Sequence, residues 1–470
     1  MADASGLPAS SLPASGLPAP GLPGSAGAAA GAAARRSALV LIARIDALLA
    51  AQVDAIIHHP RFQRLEAAWR MLAWLVDQTD GMRGVKLRVL NATWADLTRD
   101  LERASEFDQS QVFARIYTDE FDMPGGEPYG IVLADYEVTA SPRDVAALRG
   151  LADVAAAAFT PIILSASPKL FGLDTFAQLS ANLDLTGLFQ GAEYTAWRSL
   201  RGRDDTRFLG ITLPRVLLRT PWRSDGRRRD GFLYNEDATG ADGARWLWAH
   251  AGVALVATVL RSYGQWGWFA DIRGVRTDAD GAGLVTTTPA AWFATDRPGI
   301  AGRLALEVAL SERHERELAE LGFVPAHPPR LAHGVVFHSN QSVHRPPHYD
   351  RAAARANAKL SSMLQHAICA ARFAHYVKVM TRERIGSFQT AEAIERGMND
   401  WLLGYCMNND SAPLATKAKY PLKEARAEVR EMPGRPGRFN AVIHLLPQFQ
   451  LDEVAAAFRL VTTVAPSGAA

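Results

Sequence analysis

The sequence predicts a mixed α/β (α+β) fold, and three patterns in its 470 residues lead to this prediction. Apolar residues recur at helical spacing near the N-terminus, strand and helix patterns alternate through the middle, and alternating apolar and charged residues form two strands near the C-terminus. Hydrophobic residues make up 48% of the chain and charged residues 21%, the composition of an ordinary folded protein. At about 150 residues per domain, the length allows roughly three compact units.

Residues 1–37 differ in composition from the rest of the chain. Leu-Pro recurs every five residues from Leu7-Pro8 to Leu22-Pro23, and a Gly/Ala stretch follows as far as Arg35-Arg36. Proline removes amide donors and blocks both helix and sheet. We therefore expect a disordered arm over residues 1–37, with a docking repeat for a partner's groove as the alternative.

A helical hairpin is predicted over residues 38–80. Leu41, Ile45 and Leu48 share one face of the first helix, and a second apolar stripe begins at Phe62. The two helices are separated by His58-His59-Pro60, where a capping role for a histidine is favoured over catalysis.

The central region is predicted to form α/β layers and to complete an N-terminal domain over residues 38–349. Thr93 with Asp96, and Ser141 with Pro142, are residue types that begin helices. Arginine-rich residues 198–229 and Gly/Asp-rich residues 271–302 are interpreted as insertions. Strands are expected over residues 85–89, 112–117, 131–136 and 161–164.

A C-terminal domain is predicted over residues 350–466, with a tail at 467–470. It begins with one long helix over residues 350–380, and a shorter helix reaches Tyr405. A β-hairpin follows over residues 424–446, with Pro433-Gly434-Arg435-Pro436-Gly437 as its turn. The domain closes with a strand from Phe458.

Charge and cysteine content exclude several classes of protein. Lys+Arg 51 against Asp+Glu 49 leaves a net charge of +2, so no overall field attracts nucleic acid or an anionic membrane. The two cysteines, Cys369 and Cys406, are too few for a disulfide framework and fit a reducing compartment. No apolar run reaches the ~20 residues that a membrane span requires, and no secretory leader is recognisable. We expect a cytoplasmic protein without membrane insertion.

No catalytic, metal-binding or cofactor-binding residues are predicted. The chain contains no Gly-x4-Gly-Lys-Ser/Thr, no Gly-x-Ser-x-Gly and no His-Glu-x-x-His. Cys369 lacks the electropositive setting of a nucleophile, and His366 and His375 are interpreted as packed helix residues.

Two alternatives of other classes remain open from the residues alone. A metal-dependent cytosolic enzyme would use five clustered histidines, although Pro346-Pro347 keeps the last two off a common helical face. A nucleic-acid-binding protein would use residues 198–229, where interleaved Asp204 and Asp205 favour an ion-paired surface. The histidines are His327, His333, His338, His344 and His348.

A set of short segments, in order from about residue 50 to residue 461, carries a family resemblance. They include His58-His59-Pro60-Arg61-Phe62, Gly125-Gly126-Glu127-Pro128-Tyr129-Gly130, Arg372-Phe373-Ala374-His375-Tyr376 and Pro447-Gln448-Phe449-Gln450-Leu451. Together they resemble the TssC/VipB family, the large sheath subunits of the bacterial type VI secretion system. The resemblance implies a contractile-sheath-like fold and a structural protein without an active site.

The resemblance also implies a set of partners. Family members pair with a small sheath subunit (TssB/VipA), and the pairs stack with further copies as six-fold rings around the Hcp tube, on a baseplate. The sheath contracts to drive the tube into a target cell, and the ClpV ATPase then dismantles it. The Leu-Pro repeat of this chain departs from the family pattern at the N-terminus, where ClpV binds.

The C-terminal hairpin is the predicted subunit interface. It has one charged face and two potentially open edges, and open edges accept strands from other chains. We hypothesise strand exchange through this hairpin, which shortening at residues 433–437 would abolish. The residues concerned are Glu424, Arg426, Glu428, Val429, Arg430, Phe439, Ala441, Ile443 and Leu445.

Overall fold

The structure, a computed structural model, describes most of the chain from Ser25 onwards. The predicted turn at residues 433–437, the tail at 467–470 and residues 1–24 of the predicted arm lie outside the described residues. The described ranges are 25–123, 125–179, 183–227, 231–238, 243–275, 281–289, 305–329, 333–383, 390–409, 411–431, 439–448 and 458–464.

Helices and strands alternate along the chain, which confirms the mixed α/β prediction. The helices are α1 Ser25–Ile57, α2 Pro60–Gln78, α3 Trp94–Arg103, α4 Gln111–Phe113, α5 Pro142–Ala158, α6 Leu185–Leu188, α7 Thr195–Arg201, α8 Gly252–Trp266, α9 Glu312–Glu320, α10 Ala352–Ser361, α11 Leu364–Glu383, α12 Ala391–Leu403 and α13 Leu414–Lys419. The strands are β1 Val132–Val138, β2 Ile162–Ala166, β3 Leu209–Leu213, β4 Val216–Leu217, β5 Trp248–Ala249, β6 Leu284–Val285, β7 Val324–Pro325, β8 Val335–Val336, β9 Leu422–Glu431, β10 Phe439–Pro447 and β11 Phe458–Val464.

The chain divides into two compact units. Of the described residues, one unit combines residues 25–57 with residues 222–236, and the other combines residues 58–221 with those from 237 to 464. The predicted boundary between residues 349 and 350 lies inside the second unit and stays a prediction.

In the first unit, α1 begins at Ser25, so the disorder predicted as far as residue 37 is wrong for residues 25–37. The physical reason is the alanine content of this stretch, because alanine has the highest intrinsic helix propensity. Residues 222–236 double back, since the Glu236 N–H donates to the Trp222 carbonyl at 2.8 Å. The Tyr234 hydroxyl donates to the Asp54 carboxylate at 2.6 Å and ties this segment to α1.

A parallel sheet in the order β1-β2-β3-β7 forms the centre of the second unit. Every residue of β2 and β3 is buried. Ile162 and Leu164 pack with the apolar face of α5, whereas Ile163 packs with α8 on the opposite face of the sheet. Helices on both faces of a parallel sheet are the predicted α/β layers.

The predicted helix starts are confirmed. Thr93 and Asp96 form a capping box at α3, in which each side chain bonds to the other residue's main-chain N–H. Ser141 accepts from the Asp144 N–H at the start of α5, with Pro142 in the first turn. The His59 side chain accepts from the Arg61 N–H and caps α2, as the capping interpretation predicts.

Two of the predicted strands are wrong. Residues 85–89 form no strand. Residues 112–117 lie in α4 and in a π-helix over Ala114–Asp122. Ser110 caps this helical segment by accepting from the Phe113 N–H, and the Asp100 carboxylate also accepts from the Gln111 and Val112 N–H groups, a contact that the local sequence pattern does not contain.

The predicted single helix over residues 350–380 is interrupted between α10 and α11. The Ser362 carbonyl accepts from the Ser342 N–H at 3.0 Å, and the Leu364 N–H donates to the Asn340 carbonyl at 2.8 Å. These long-range contacts replace the helical bonds at this point. Of the predicted Gly/Asp-rich insertion, residues 284–285 form β6, which pairs with β8.

Candidate assembly interface

The C-terminal sheet contains three antiparallel strands in the order β11-β10-β9. The predicted hairpin is in register, with Glu428 opposite Val442 and Arg426 opposite His444. β11 pairs with the other side of β10, with Leu460 opposite Ile443. The hairpin prediction is confirmed, and β10 becomes the central strand instead of an edge.

The inner face of β9 and β10 packs on helices of the same chain. Val429, Ala441, Ile443 and Leu445 are buried in one cluster with Phe373 of α11, and the half-buried Phe439 packs against it. The side chains of five of the nine predicted interface residues therefore pack in the core of this chain.

The outer face of β9 carries the four charged residues of the predicted interface. Glu424, Arg426 and Arg430 are exposed, and Glu428 is half-buried. Arg426 and Arg430 form ion pairs with Glu428 at 3.4 Å and 3.5 Å. The interface role of all nine residues stays a prediction.

The outer edge of β9 is closed, so the prediction of two open edges is wrong. Asn399 of α12 bonds both main-chain groups of Ala427. Glu395 of α12 accepts from the Val429 N–H. Hydrophobic periodicity did not identify Asn399 and Glu395, because it assigns each α12 side chain to a face of the helix and does not show which strand that face contacts. Their i, i+4 spacing, which places both side chains on the same face of α12, was the one sign in the sequence that they act together.

A groove of about 700 Å³ opens beside this edge. Leu403 and Cys406 line one side, and Arg426 and His444 line the other. Burial, with the Glu424 carboxylate as a smaller cause, raises the pKa of the Cys406 thiol. Burial, which outweighs a main-chain hydrogen bond from Phe269, raises the pKa of the Cys369 thiol to about 12. Neither thiol has the lowered pKa of a nucleophilic cysteine.

The five clustered histidines do not converge on one site. His333 Nε2 donates to the Thr288 carbonyl at 2.8 Å. His344 Nδ1 donates to the Arg203 carbonyl at 2.9 Å, and His348 is exposed. His327 and His338 are neighbours, with ring centroids 5.6 Å apart. Within the described ranges, no three histidine, cysteine, aspartate or glutamate side chains converge to hold a metal ion. The metal-enzyme alternative therefore gains no support.

The arginine-rich region is ion-paired, as its interleaved acids indicate. Burial opposes ionisation of Glu66, but hydrogen bonds from Arg219 and Arg70 outweigh it and hold the carboxyl pKa below its usual value. Much of the positive charge of this region is therefore balanced within the chain, which gives the nucleic-acid alternative no support. The ion pairs are Arg203–Asp153, Arg207–Asp204, Arg215–Glu137 and Arg219–Glu66.

No helix in the described part of the chain has the length and apolar character that crossing a membrane requires.

Comparison with known proteins identifies a family over almost the whole chain. The VipB family model, EvpB/VC_A0108, tail sheath N-terminal domain, matches residues 40–344. The VipB_2 model, EvpB/VC_A0108, tail sheath gpW/gp25-like domain, matches residues 353–464. The type VI secretion system sheath protein TssC1 of Pseudomonas aeruginosa is 38% identical over 426 residues, which are 90% of this chain and 84% of the relative.

Three solved structures match with lower similarity. A sheath tail protein from Listeria innocua is 10% identical, with a TM-score of 0.34, and the match covers 80% of this chain and 61% of that chain. A sheath tail protein from Desulfitobacterium hafniense is 8% identical, with a TM-score of 0.32, covering 69% of this chain and 56% of that one. The anti-feeding prophage baseplate matches at 10% identity and a TM-score of 0.34, covering 82% and 80%.

The family models and the TssC1 relative confirm the resemblance and the prediction of a structural protein. The chain belongs to the TssC/VipB family of type VI secretion sheath proteins and is a structural subunit of the contractile sheath, not an enzyme.

Proposed function

We propose that this chain pairs with the small sheath subunit (TssB/VipA) and that the pairs polymerise in the cytoplasm around the Hcp tube, on a baseplate. Contraction of the sheath then drives the tube into a target cell, and the ClpV ATPase is the proposed partner for disassembly. Family membership supports this proposal. The observation that supports the pairing step is the exposed apolar surface of α1.

Eight large apolar side chains of α1 are between 44% and 68% exposed. An exposed apolar surface of this size, on a helix of 33 residues, is typical of a surface that another protein covers. We propose that the small sheath subunit binds to this surface and buries it. The side chains belong to Leu39, Val40, Leu41, Ile42, Ile45, Leu48, Leu49 and Ile56.

The free energy available from this surface is large enough for stable pairing. Full burial of one large apolar side chain contributes about 1.5–3 kcal/mol, so burying the exposed half of eight contributes about 6–12 kcal/mol. Loss of translational and rotational freedom on association opposes this gain. The remaining polar contacts of the pair then set its specificity.

Polymerisation is assigned to the C-terminal sheet. An added strand that makes about five backbone hydrogen bonds, each net ~0.5–1.5 kcal/mol, contributes a few kcal/mol per contact. Contacts that do not close on themselves generate helical filaments, which is the symmetry of a sheath. Contraction is then a rigid-body change between two packings of the same subunit.

The pairing step is tested by co-expression with the small subunit. Leu41→Asp combined with Ile45→Asp places two charges on the exposed apolar surface without disturbing a buried side chain. We expect loss of co-purification and loss of hollow tubes in electron micrographs. Gln52→Asp, at an exposed polar position of the same helix, is the matched control and keeps both.

Normal pairing by the doubly charged variant would show that α1 is not the pairing surface. Absence of tubes from the wild-type pair would argue against the proposed function itself.

A further inference from the structure

Residues 85–91 have the sequence of a strand but form neither a strand nor a helix. Apolar and basic residues alternate from Val85 to Val89, the pattern of a strand with one apolar side. Within the described ranges, no main-chain hydrogen bond includes any of residues 85–91, and residues 86–91 are all exposed. The main-chain N–H and carbonyl groups of this segment are therefore accessible to a strand of another chain.

The basic side chains of the segment are held by acids of the same chain. Lys86 bonds to the Glu127 carboxylate, and Arg88 reaches the same carboxylate at 3.3 Å. Arg88 also pairs with Glu120, which accepts from the Glu127 N–H at 2.9 Å. Side chains two residues apart lie on the same side of an extended chain. The shared carboxylate therefore indicates that the segment already has the alternation of a strand, with its charges balanced by its own chain.

The apolar side chains of the segment become more exposed along it. Val85 is half-buried and packs against the buried cluster around α8. Leu87 is 40% exposed, Val89 is 70% exposed and Leu90 is 61% exposed. Exposed apolar side chains beside main-chain groups without a strand partner are typical of a site where an added strand binds.

The area of this surface argues against a second copy of the chain as its occupant. A second copy would bring the same three exposed apolar side chains, so the contact would bury well under the roughly 1,200 Å² of a stable specific interface. A contact of a surface with itself also closes a two-fold dimer, whereas a helical sheath needs contacts that continue. A chain that binds a further surface meets both conditions, and the small sheath subunit is proposed to bind α1.

We propose that residues 85–91 become a strand when the small sheath subunit binds, by main-chain pairing with a strand of that subunit whose apolar residues cover Leu87 and Val89. This inference rests on the proposed function, because it adds a second surface to the same pairing. The added strand needs apolar residues at alternate positions and no charge opposite Lys86 and Arg88, which are already paired.

The first test measures amide hydrogen exchange by mass spectrometry in the full-length chain alone and in its pair with the small subunit. We expect fast exchange in peptides that cover residues 85–91 of the free chain and at least tenfold protection in the pair. Peptides that cover β3, which is buried at every residue, are the reference and stay protected in both. A purified pair without new protection at residues 85–91 would overturn the inference, and so would slow exchange there in the free chain.

The second test distinguishes main-chain pairing from simple apolar cover. Val89→Pro and Leu90→Pro each remove one N–H group, and neither removes a main-chain hydrogen bond between described residues of the free chain. Neighbouring N–H groups of a strand point to opposite sides, so one of the two faces the added strand. We expect that variant alone to bind the small subunit about tenfold more weakly, the equivalent of one lost hydrogen bond. Equal affinities of the two variants would contradict main-chain pairing.

The third test places a charge on the apolar side of the segment. Val89→Asp should lower the affinity for the small subunit at least tenfold, and Val275→Asp, the same change at a valine that is 46% exposed outside the segment, should lower it less than twofold. Equal affinities of these two variants would count against the inference. The wild-type chains are titrated in parallel, so a failure to pair at all, which argues against the proposed function, is seen separately.

Discussion

The parallel sheet β1-β2-β3-β7 and the C-terminal sheet β11-β10-β9 belong to the same unit but are buried differently. β2 and β3 are buried at every residue, with α5 packed on one face and α8 on the other. In β9, buried residues on one face alternate with charged residues on the other. Both faces of the first sheet are covered by helices of the same chain, whereas one face of the second sheet is exposed to solvent.

This difference separates a structural core from the surface that we propose for assembly. Burial on both faces removes the apolar surface and the main-chain groups that another protein could bind. A sheet buried on one face keeps a polar surface and its end strands near solvent, where pairing with another chain is possible. Helix α11 connects the two regions, because Phe373 packs under the C-terminal sheet and the His375 ring bonds to the Ala158 carbonyl of α5.

The largest expected effect comes from the core of the parallel sheet. The Phe323 side chain is fully buried, with its ring centroid 5.4 Å from that of Phe171 and 6.0 Å from that of Trp197. Phe323→Ala should lower the free energy of unfolding by about 3–5 kcal/mol, because a cavity remains where the ring was. Val442→Ala on the C-terminal sheet should cost less than about 1 kcal/mol. Equal losses of unfolding free energy in Phe323→Ala and Val442→Ala, measured by urea denaturation, would contradict the difference in burial between the two sheets.

A pH-dependent effect is expected where α11 meets α5. Burial, which outweighs the favourable hydrogen bond to Ala158, lowers the pKa of His375 from 6.5 to about 4. The unfolded chain therefore takes up this proton first as the pH falls. Stability is fully present above about pH 6.5 and is lost as the pH falls towards about 4, by about 3 kcal/mol for this group.

His375→Gln should remove that part of the acid lability, measured as a smaller loss of unfolding free energy between pH 7 and pH 4.5. His348→Gln, at an exposed histidine, is the control and should keep the wild-type dependence. An unchanged slope in His375→Gln would mean that this junction is not buried as the structure places it.

The smallest effect is expected on the charged face of the C-terminal sheet. Arg426 and Arg430 are 73% and 84% exposed, so their pairs with Glu428 are screened by water. Arg426→Ala and Arg430→Ala should each change the unfolding free energy by no more than about 0.5 kcal/mol in thermal melts. A loss above about 1 kcal/mol would show that this face also contributes to the fold of the single chain.

Local sequence patterns predict the elements whose causes are local. The Thr93 and Ser141 caps begin helices where they are expected, because a cap satisfies N–H groups only a few residues away. The register of β9 and β10 follows from the alternation of apolar and charged residues, since a shift by one residue would reverse both faces. The family resemblance was likewise available from short ordered segments.

Elements that depend on distant contacts could not be predicted in this way. Residues 112–117 have the composition of a strand but form a helix, whose first N–H groups are satisfied by the Asp100 carboxylate in addition to the Ser110 cap. The break between α10 and α11 is made by main-chain bonds to Asn340 and Ser342. In each case a tertiary contact outweighs a local preference of a few tenths of a kcal/mol per residue.

The sequence by itself determined the mixed α/β class, the alternating C-terminal hairpin and the absence of the common catalytic motifs. Only the tertiary structure decided that β11 completes the sheet and that Asn399 and Glu395 close the β9 edge. Periodicity assigns each side chain to a face of its own element. It carries no information on which element that face meets, because that meeting depends on packing between segments far apart along the chain.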